Sequence, residues 1–331
     1  NSIITGNEAT NSGGGVFSYT GSNVNLSMYN CTVSENVTNF GGGIHLGAGD
    51  DIDTSYFLLK RLIISDNTAR TQGGGININN KDGVIENCLI YNNFAESVGT
   101  GGAISHNASD SLSFELDINN CTITQNLGVL SNGIAAWTDS TGSSMITLRN
   151  TLLHNGNDYE VEDGDPTIVS AGGNFSTDIF MDVILDLDDI LGLDPLFVDA
   201  SNIDFHLQAL SPCVNAGVSE GSPNEDLDGL ERDEMPDIGA YEYGGMVSTN
   251  NVSLYESLTI SPNPVEDWIR LDSPELNNNS RLKIYNMQGQ EMMDTRISNQ
   301  SRSINVKSMP AGSYLMLISG DRYYKATFIK M

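Results

Sequence analysis

The segment NCTVSEN at residues 30–36 decides the fold, because variants of it return throughout the first half of the chain. The related segments are NSIITGN (1–7), RLIISDN (61–67), NCLIYNN (87–93), NCTITQN (120–126) and NTLLHN (150–155). All but the last are followed by a glycine-rich step that ends at Val16, Ile44, Ile76, Ile104 or Ile134, 28 to 32 residues apart. One such repeat cannot enclose a core alone, so the repeats must stack into a β-solenoid.

Two columns of residues indicate which side chains of each repeat point inward. One register holds Ile4, Val33, Ile64, Ile90, Ile123 and Leu152. Another, two residues earlier, holds Cys31, Leu62, Cys88 and Cys121. Two residues is the spacing of side chains on one face of a strand. We therefore expect buried thiols, and a bond between Cys88 and Cys121 in adjacent coils stays open.

An asparagine closes each repeat segment. Its amide tolerates left-handed backbone geometry and can hydrogen-bond to the same residue one coil away. The sequence therefore predicts an Asn ladder, and the glycines that follow suit a tight corner repeated in every coil. The ladder comprises Asn36, Asn67, Asn93, Asn126 and Asn155.

Charge excludes several classes of partner and divides the chain. The 331 residues contain 15 Lys and Arg against 43 Asp and Glu, a net charge of −28, which argues against nucleic acid as a partner. Residues 1–245 carry −29 of this charge and residues 246–331 carry +1. The polar stretch 246–256 is typical of a linker between two domains.

The first part of the chain resembles known solenoids. Its glycine step and closing Asn resemble repeats of bacterial polymorphic outer-membrane proteins and of right-handed parallel β-helices of the pectin-lyase-like class. We assign residues 1–155 to β-helix repeats. Because the chain starts inside a repeat, we expect an N-terminally truncated fragment or a mature form.

Residues 156–245 resemble the choice-of-anchor Q region that follows β-helix repeats in bacterial surface proteins. The resemblance implies the last coils and an acidic C-terminal cap, which an open sheet edge requires. The matches, in order, are Gly173, Asn174, Asp194, Pro195, Leu207, Ser211, Pro212, Ala216, Gly217, Asp228, Gly229, Arg232 and residues 237–242.

Residues 257–331 alternate apolar and polar positions, which predicts a small Ig-like antiparallel β-sandwich. They resemble the type A C-terminal sorting domain of the type IX secretion system of Bacteroidetes. The resemblance implies export through an outer-membrane translocon, removal of this domain and attachment to surface lipopolysaccharide, and hence a secreted or cell-surface protein. The motif residues are Pro262, Asn263, Pro264, Gly289, Pro310, Gly312, Tyr314, Lys325 and Lys330.

Catalytic candidates are few. Lys60 and Arg61 lie near the acidic loop of Asp50, Asp51 and Asp53, which could provide the base and Ca²⁺ of a polysaccharide lyase. The alternative is an ordinary solvated surface pair. The outward column Phe17, His45, Asn77, Ser105 and Ala135 lacks the carboxylate pair of a glycosidase.

Acidic residues near the end of the first part suggest a metal site. Asp226, Asp228, Asp233 and Asp237 surround a glycine turn, as in a structural Ca²⁺ loop, or else they cap backbone amides of a turn. The histidines at 45, 106, 154 and 206 lack metal-ligand spacing and are interpreted as surface or packed residues.

The sequence thus predicts an all-β protein, a right-handed parallel β-helix followed by a β-sandwich. Tyr19 and Trp137 share an outward register, but three intervening coils separate them, so no aromatic sugar platform is expected. The preferred hypothesis is an adhesin-like or glycan-contacting, non-catalytic surface protein. A polysaccharide lyase or glycoside hydrolase is the alternative, and a rigid spacer is a third hypothesis.

Overall fold

The computed structural model contains two compact units, residues 1–248 and residues 249–331, called here the solenoid unit and the C-terminal unit. Among the residues described, no helix has the length and apolar character needed to cross a membrane. The described residues are 2–20, 25–48, 56–97, 101–109, 113–129, 131–138, 142–162, 167–178, 181, 188–244, 246–247, 255–272, 280–286, 291–297, 302–319 and 323–331.

The solenoid unit is built from four parallel sheets, called A to D in the order in which one coil visits them. Sheet A consists of Ile3–Thr5, Thr32–Ser34, Ile63–Ser65, Leu89–Tyr91, Thr122–Thr124, Leu152–His154, Phe175–Ser176 and Ile190–Leu191. Sheet B consists of Val37–Phe40, Thr68–Gln72 and Phe94–Ala95. Sheet C consists of Val16–Thr20, Ile44–Ala48, Ile76–Asn79, Ile104–Ala108, Ile134–Thr138 and Tyr159–Glu162. Sheet D consists of Leu26–Tyr29, Tyr56–Lys60, Asp82–Glu86, Ser113–Asn119, Ser143–Arg149 and Thr167–Ser170.

The predicted architecture is confirmed: a parallel solenoid is followed by mainly antiparallel sheets. The column of Val33, Ile64, Ile90 and Ile123 is buried in the main apolar core, with successive residues paired across the strands. The next position is Leu153, because Leu152 pairs with Thr122 and faces outward. The segment at 150–155 is one residue shorter than the others. The predicted column therefore placed Leu152 where the structure has Leu153.

The left-handed backbone occurs at glycines before sheet C, such as Gly73, but not at the closing asparagines. Between sheets D and A the φ angle is positive at the first residue of the segments from Asn30 onward, for example 51° at Asn87 and 48° at Asn120. Between sheets A and B it is positive at the residue before the ladder, for example 53° at Asn92. The ladder residues themselves therefore do not supply the left-handed turn. Their amides are free to pair between coils.

Hydrogen bonds connect the side chains of the closing asparagines along the solenoid. Nδ2 of Asn67 donates to Oδ1 of Asn93 at 2.9 Å, and Nδ2 of Asn93 donates to Oδ1 of Asn126 at 2.9 Å. The backbone N–H of each residue donates to the same oxygen, and a second amide hydrogen reaches a carbonyl of sheet A. The series runs from Asn7 through Asn36 and Asn155 to Asp158.

The outer face of sheet A is also buried, which creates a second core. A hairpin of Phe197–Asp199 and Asp204–Leu207, joined by the 3-10 turn Ala200–Asn202, lies on it. The Phe205 and Tyr91 ring centroids are 5.3 Å apart. Strands buried on both faces become continuously apolar, which accounts for Leu89–Tyr91.

The C-terminal unit has its own core and two sheets. Leu282, Ile284, Met316 and Phe328 are among its fully buried residues. The larger sheet contains, in order, Tyr255–Ser257, Tyr323–Lys330, Gly312–Ser319, Arg281–Asn286 and Glu291–Arg296. The smaller sheet contains Thr259–Ser261, Trp268–Asp272 and Ser303–Asn305.

The interior of the solenoid contains one buried histidine. His106 occupies the inward position between Ile78 and Ala136 and is fully buried. Its Nδ1 lies 2.7 Å from Oγ of Ser144, and burial lowers its pKa to about 4. The imidazole is therefore neutral in the folded protein at neutral pH.

We expect Asn93→Ala to lower the free energy of unfolding of the solenoid unit by about 2–4 kcal/mol, because buried amide groups of Asn67 and Asn126 lose their partners. Urea unfolding followed by tryptophan emission measures this, with Trp268→Phe leaving Trp137 as the reporter. The matched control is the exposed neighbour, Asn92→Gly, whose left-handed backbone suits glycine. A loss below about 1 kcal/mol for the ladder variant would refute the role of the ladder.

We also expect the buried histidine to lower the stability of the solenoid unit as the pH falls from 7 towards 4, against the opposite effect of Asp237, whose raised pKa favours the folded state in acid. An unfolded histidine binds a proton below pH 6.5, whereas folded His106 remains neutral down to about pH 4, so acid favours unfolding. His45, whose pKa burial also lowers to about 4, acts in the same direction. Each contributes at most about 3 kcal/mol.

The variant His106→Leu should flatten this pH dependence, whatever its effect on stability at pH 7. Urea midpoints between pH 4.5 and pH 7 measure the slope. His206→Gln is the control, because hydrogen bonds to carboxylates raise the pKa of His206 and its removal cannot reduce the loss in acid. An unchanged slope in His106→Leu would contradict the prediction.

Candidate functional site

The outer face of sheet C carries two columns of side chains, one above the other in successive coils. The first is the predicted outward column, which the strand register confirms from Phe17 to Ala135. The second consists of Tyr19, Gly47, Asn79, Asn107 and Trp137. Most of the first column is buried, although it points away from the core: His45 is 5 % exposed and Asn77 is fully buried.

A groove of about 340 Å³ lies along the second column. Tyr19 and Trp137 line it, together with Gln72, which is the last residue of a sheet B strand. The glycines after Gln72 let the chain turn sharply from sheet B to sheet C, with φ of +63° at Gly73. The remaining lining residues are Asn79, Asn80, Asn107 and Ser109.

Amides form the floor of this groove. Nδ2 of Asn107 lies 2.7 Å from Oδ1 of Asn79 and 3.0 Å from Oδ1 of Asn77. Nδ2 of Asn77 lies 3.0 Å from Nδ1 of His45. These contacts hold the amide side chains in fixed orientations on a rigid sheet, as a binding surface requires.

Aromatic side chains mark one end of the groove. The Phe17 and Tyr19 rings are stacked with centroids 6.2 Å apart, and the Phe17 ring is 5.4 Å from that of His45. A Cβ at Gly47 would come within 3.0 Å of the Tyr19 ring, so glycine allows the ring to lie over the strand. Trp137 is the corresponding aromatic residue four strands away in the sheet.

Several hydrogen-bond donors in the groove have no protein partner. In the described part of the chain, Nδ2 of Asn79, Nε2 of Gln72 and the indole N–H of Trp137 donate to no other residue. These groups can donate to a ligand, while amide oxygens can accept from it. Aromatic rings and amides together are suited to stacking and hydrogen bonding of a polar, ring-shaped ligand.

Lys60 and Arg61, the cations considered for a lyase, are each held in an ion pair. Nζ of Lys60 is 2.5 Å from Oε1 of Glu86, and a guanidinium nitrogen of Arg61 is 2.9 Å from Oε2 of Glu225. Both cations are thus held in ion pairs by carboxylates outside the acidic loop. Asp50, Asp51 and Asp53 lie outside the described residues.

The structure does not bring Asp226, Asp228, Asp233 and Asp237 together as calcium ligands. The two carboxylate oxygens of Asp226 accept backbone N–H groups of Leu230 and Glu242 at 2.7 and 2.9 Å. Those of Asp237 likewise accept backbone N–H groups, and Asp228 contacts His206. Over the residues described, no group of three His, Cys, Asp or Glu side chains could hold a metal ion. These contacts are those of the alternative interpretation, in which the carboxylates cap backbone amides of a turn.

These acidic residues belong to a segment, residues 213–243, called here the strap. We predicted a cap over the open end of the solenoid, but the strap lies along its side. It starts beside the coil that contains Asn150 and extends to the coil of Arg61, whose side chain contacts Glu225 and Leu227. It then returns to the coil of Asn150, which Gly239 contacts. The residues with left-handed backbone at the corner between sheets D and A contact the strap, because their side chains point away from the coil.

A buried ion pair fixes the strap. Arg232 is 8 % exposed; its guanidinium donates to Oε2 of Glu242 at 2.9 Å and to Oδ1 of Asn87 at 3.0 Å. Burial raises the pKa of Asp237 to about 6, although two backbone N–H groups oppose the shift. The strap thus concentrates carboxylates around one arginine.

The cysteines and the other histidines are placed as follows. Cys88 and Cys121 are buried free thiols, with the backbone N–H of Cys88 3.4 Å from Sγ of Cys121. Burial lowers the pKa of His206, but hydrogen bonds to Asp228 and Asp204 outweigh it and raise the pKa overall. His154 packs edge-on against Phe197.

In the C-terminal unit, the residues of the predicted sorting motif contact the last strand. Oδ1 of Asn263 accepts the backbone N–H of Ile329 at 3.0 Å, and its Nδ2 donates to the carbonyl of Thr327. The hydroxyl of Tyr314 donates to the carbonyl of Pro310 at 2.8 Å. Pro262 and Pro264 flank Asn263, Gly312 begins the strand that contains Tyr314, and Lys325 and Lys330 lie in the last strand. Gly289 lies outside the described residues.

Comparison with known proteins identifies this last unit. Residues 259–330 match the family of the secretion system C-terminal sorting domain. No curated protein matches the chain. The chain therefore carries a type IX sorting domain, which interacts with the type IX secretion machinery and marks a protein secreted to the cell surface or the extracellular space.

We expect Arg232→Met to lower the free energy of unfolding of the solenoid unit by about 3–5 kcal/mol, because it leaves the buried carboxylate of Glu242 without its cation. The double variant Arg232→Met, Glu242→Gln should recover part of this loss. Urea unfolding of both measures the difference.

The control for this prediction is Arg70→Gln. Arg70 and Glu8 form an ion pair with exposed side chains, so a change below about 0.5 kcal/mol is expected. Equal losses in Arg232→Met and Arg70→Gln would show that the strap does not depend on its buried pair.

Proposed function

We propose that this protein is an exported surface protein whose sheet C groove contacts an extracellular glycan without transforming it. The groove is the observation that carries the proposal: two aromatic side chains line it, fixed amides form its floor, and several donors face it unpaired. Sugars present hydroxyl groups and apolar ring faces, which match amides and aromatic rings respectively. An adhesin-like role follows from this contact combined with secretion.

The finer assignments are part of the same proposal. Repeats of the pectin-lyase-like kind and a choice-of-anchor Q region support a surface protein of a Bacteroidetes bacterium. Removal of the sorting domain and transfer to lipopolysaccharide would then attach the solenoid unit to the cell. The Asn ladder is proposed as its structural spine, and the sorting motif as the surface recognised by the secretion machinery.

Catalysis has less support than binding. The groove is lined by neutral side chains in the described ranges, and burial lowers the pKa of the adjacent His45 to about 4. A histidine with this pKa is a weak base at neutral pH. The polysaccharide lyase or glycoside hydrolase alternative would need a different surface.

We expect Trp137→Ala and Gln72→Ala each to weaken glycan binding at least about tenfold, because each removes one side chain of the groove without disturbing the core. Affinity electrophoresis in gels containing different polysaccharides measures binding. Release of reducing ends and of unsaturated products is scored in the same samples.

Tyr29→Ala is the matched control. Tyr29 is another exposed aromatic residue, 47 % exposed, at the end of a sheet D strand. Equal weakening by Tyr29→Ala, or unchanged binding in Trp137→Ala, would place binding elsewhere. Product release that requires the groove would establish the enzymatic alternative instead.

A further inference from the structure

We infer that the groove selects an uncharged glycan chain that lies along the solenoid axis and spans several sugar rings. This inference rests on the proposed function and adds the class of ligand. It follows from where the cations of the solenoid unit lie and from the separation of the two aromatic side chains.

None of the cations of the solenoid unit lines the groove. Residues 1–248 contain six Lys and Arg, and all six lie in the described ranges. Four of them form ion pairs: Lys60, Arg61, Arg70 and Arg232. Arg149 donates to the carbonyl of Glu220 at 2.7 Å, and Lys81 is 1 % exposed.

A glycan of uronic acids or sulfated sugars therefore finds no cation to pair with. Recognition of carboxylate or sulfate in proteins depends on Arg and Lys. The same residues 1–248 carry a net charge of −29, so they repel a polyanion at long range. A chain without anionic groups can use the amides of Asn79 and Asn107 without this repulsion.

The length of the site follows from the sheet. Tyr19 and Trp137 are separated by four strand spacings, which at ~4.8 Å each gives a distance of about 19 Å along the axis. A single sugar ring cannot reach both aromatic side chains. A chain of several rings can stack on both and contact the amide row between them.

The test uses the two tryptophans, one in each unit. In Trp268→Phe, the emission of Trp137 alone reports on the groove; in Trp137→Phe, Trp268 serves as the control reporter. The probes are cellotetraose, mannotetraose, xylotetraose and chitotetraose, their disaccharides, and tetragalacturonate. A chelator is present so that no cation bridges an anionic ligand to the protein.

We expect at least one uncharged tetrasaccharide to change the emission of Trp137 but not that of Trp268. Its affinity should stay within about twofold between ~20 and ~300 mM salt, because no charge is involved. The corresponding disaccharide should bind at least tenfold more weakly, and tetragalacturonate should not bind at either salt concentration.

Two results would overturn the inference while leaving the proposed function intact. One is binding of tetragalacturonate that Gln72→Ala weakens. The other is a disaccharide that binds as tightly as its tetrasaccharide. If none of the probes binds, and polysaccharide affinity electrophoresis is also negative, both the proposed function and this inference fail.

Discussion

Parallel stacking in register is the constraint on which the rest of this structure depends. A polar side chain that is buried at the same position of every coil recurs about 4.8 Å away, so it is satisfied when it bonds to its own copy in the next coil. Asparagine satisfies this condition, because its amide donates and accepts at once. The series through Asn67, Asn93 and Asn126 shows the result: each side chain binds the next, and the coils cannot slip relative to one another without breaking the whole series.

The same stacking shapes the groove. Side chains on the outside of sheet C are also aligned in register. The residue type at these outer positions differs from coil to coil. Aromatic residues at Tyr19 and Trp137 enclose amides at Asn79 and Asn107, while Gly47 leaves space for a ring. The inner columns of the solenoid maintain the fold, and this outer column lines the groove.

The sequence predicts the fold well because the fold repeats. Period, apolar columns and closing asparagines each occur five or six times, so a local pattern is enough to identify the solenoid. The features that the repeat pattern did not predict are contacts between distant residues and details of backbone geometry. The left-handed residue is Asn92 and not Asn93, and the strap reaches Asn87 from Arg232. The intervening coils, which argued against an aromatic platform, contribute the amides of the groove that Tyr19 and Trp137 line. No repeat pattern encodes contacts between residues 145 positions apart.

The path of the strap has a mechanical consequence. The chain leaves the last coils, covers sheet A and runs back along the side of the solenoid as the strap, whose strand Leu230–Glu231 pairs with Met246–Val247 just after the strap. Tension applied at residue 248 therefore loads the strap before it loads a coil. The contacts of Arg232, Asn120 and Asn150 share that load across several coils. When the solenoid unit is pulled from this end, the strap is therefore loaded in shear against several coils, and the coils are not peeled off one at a time.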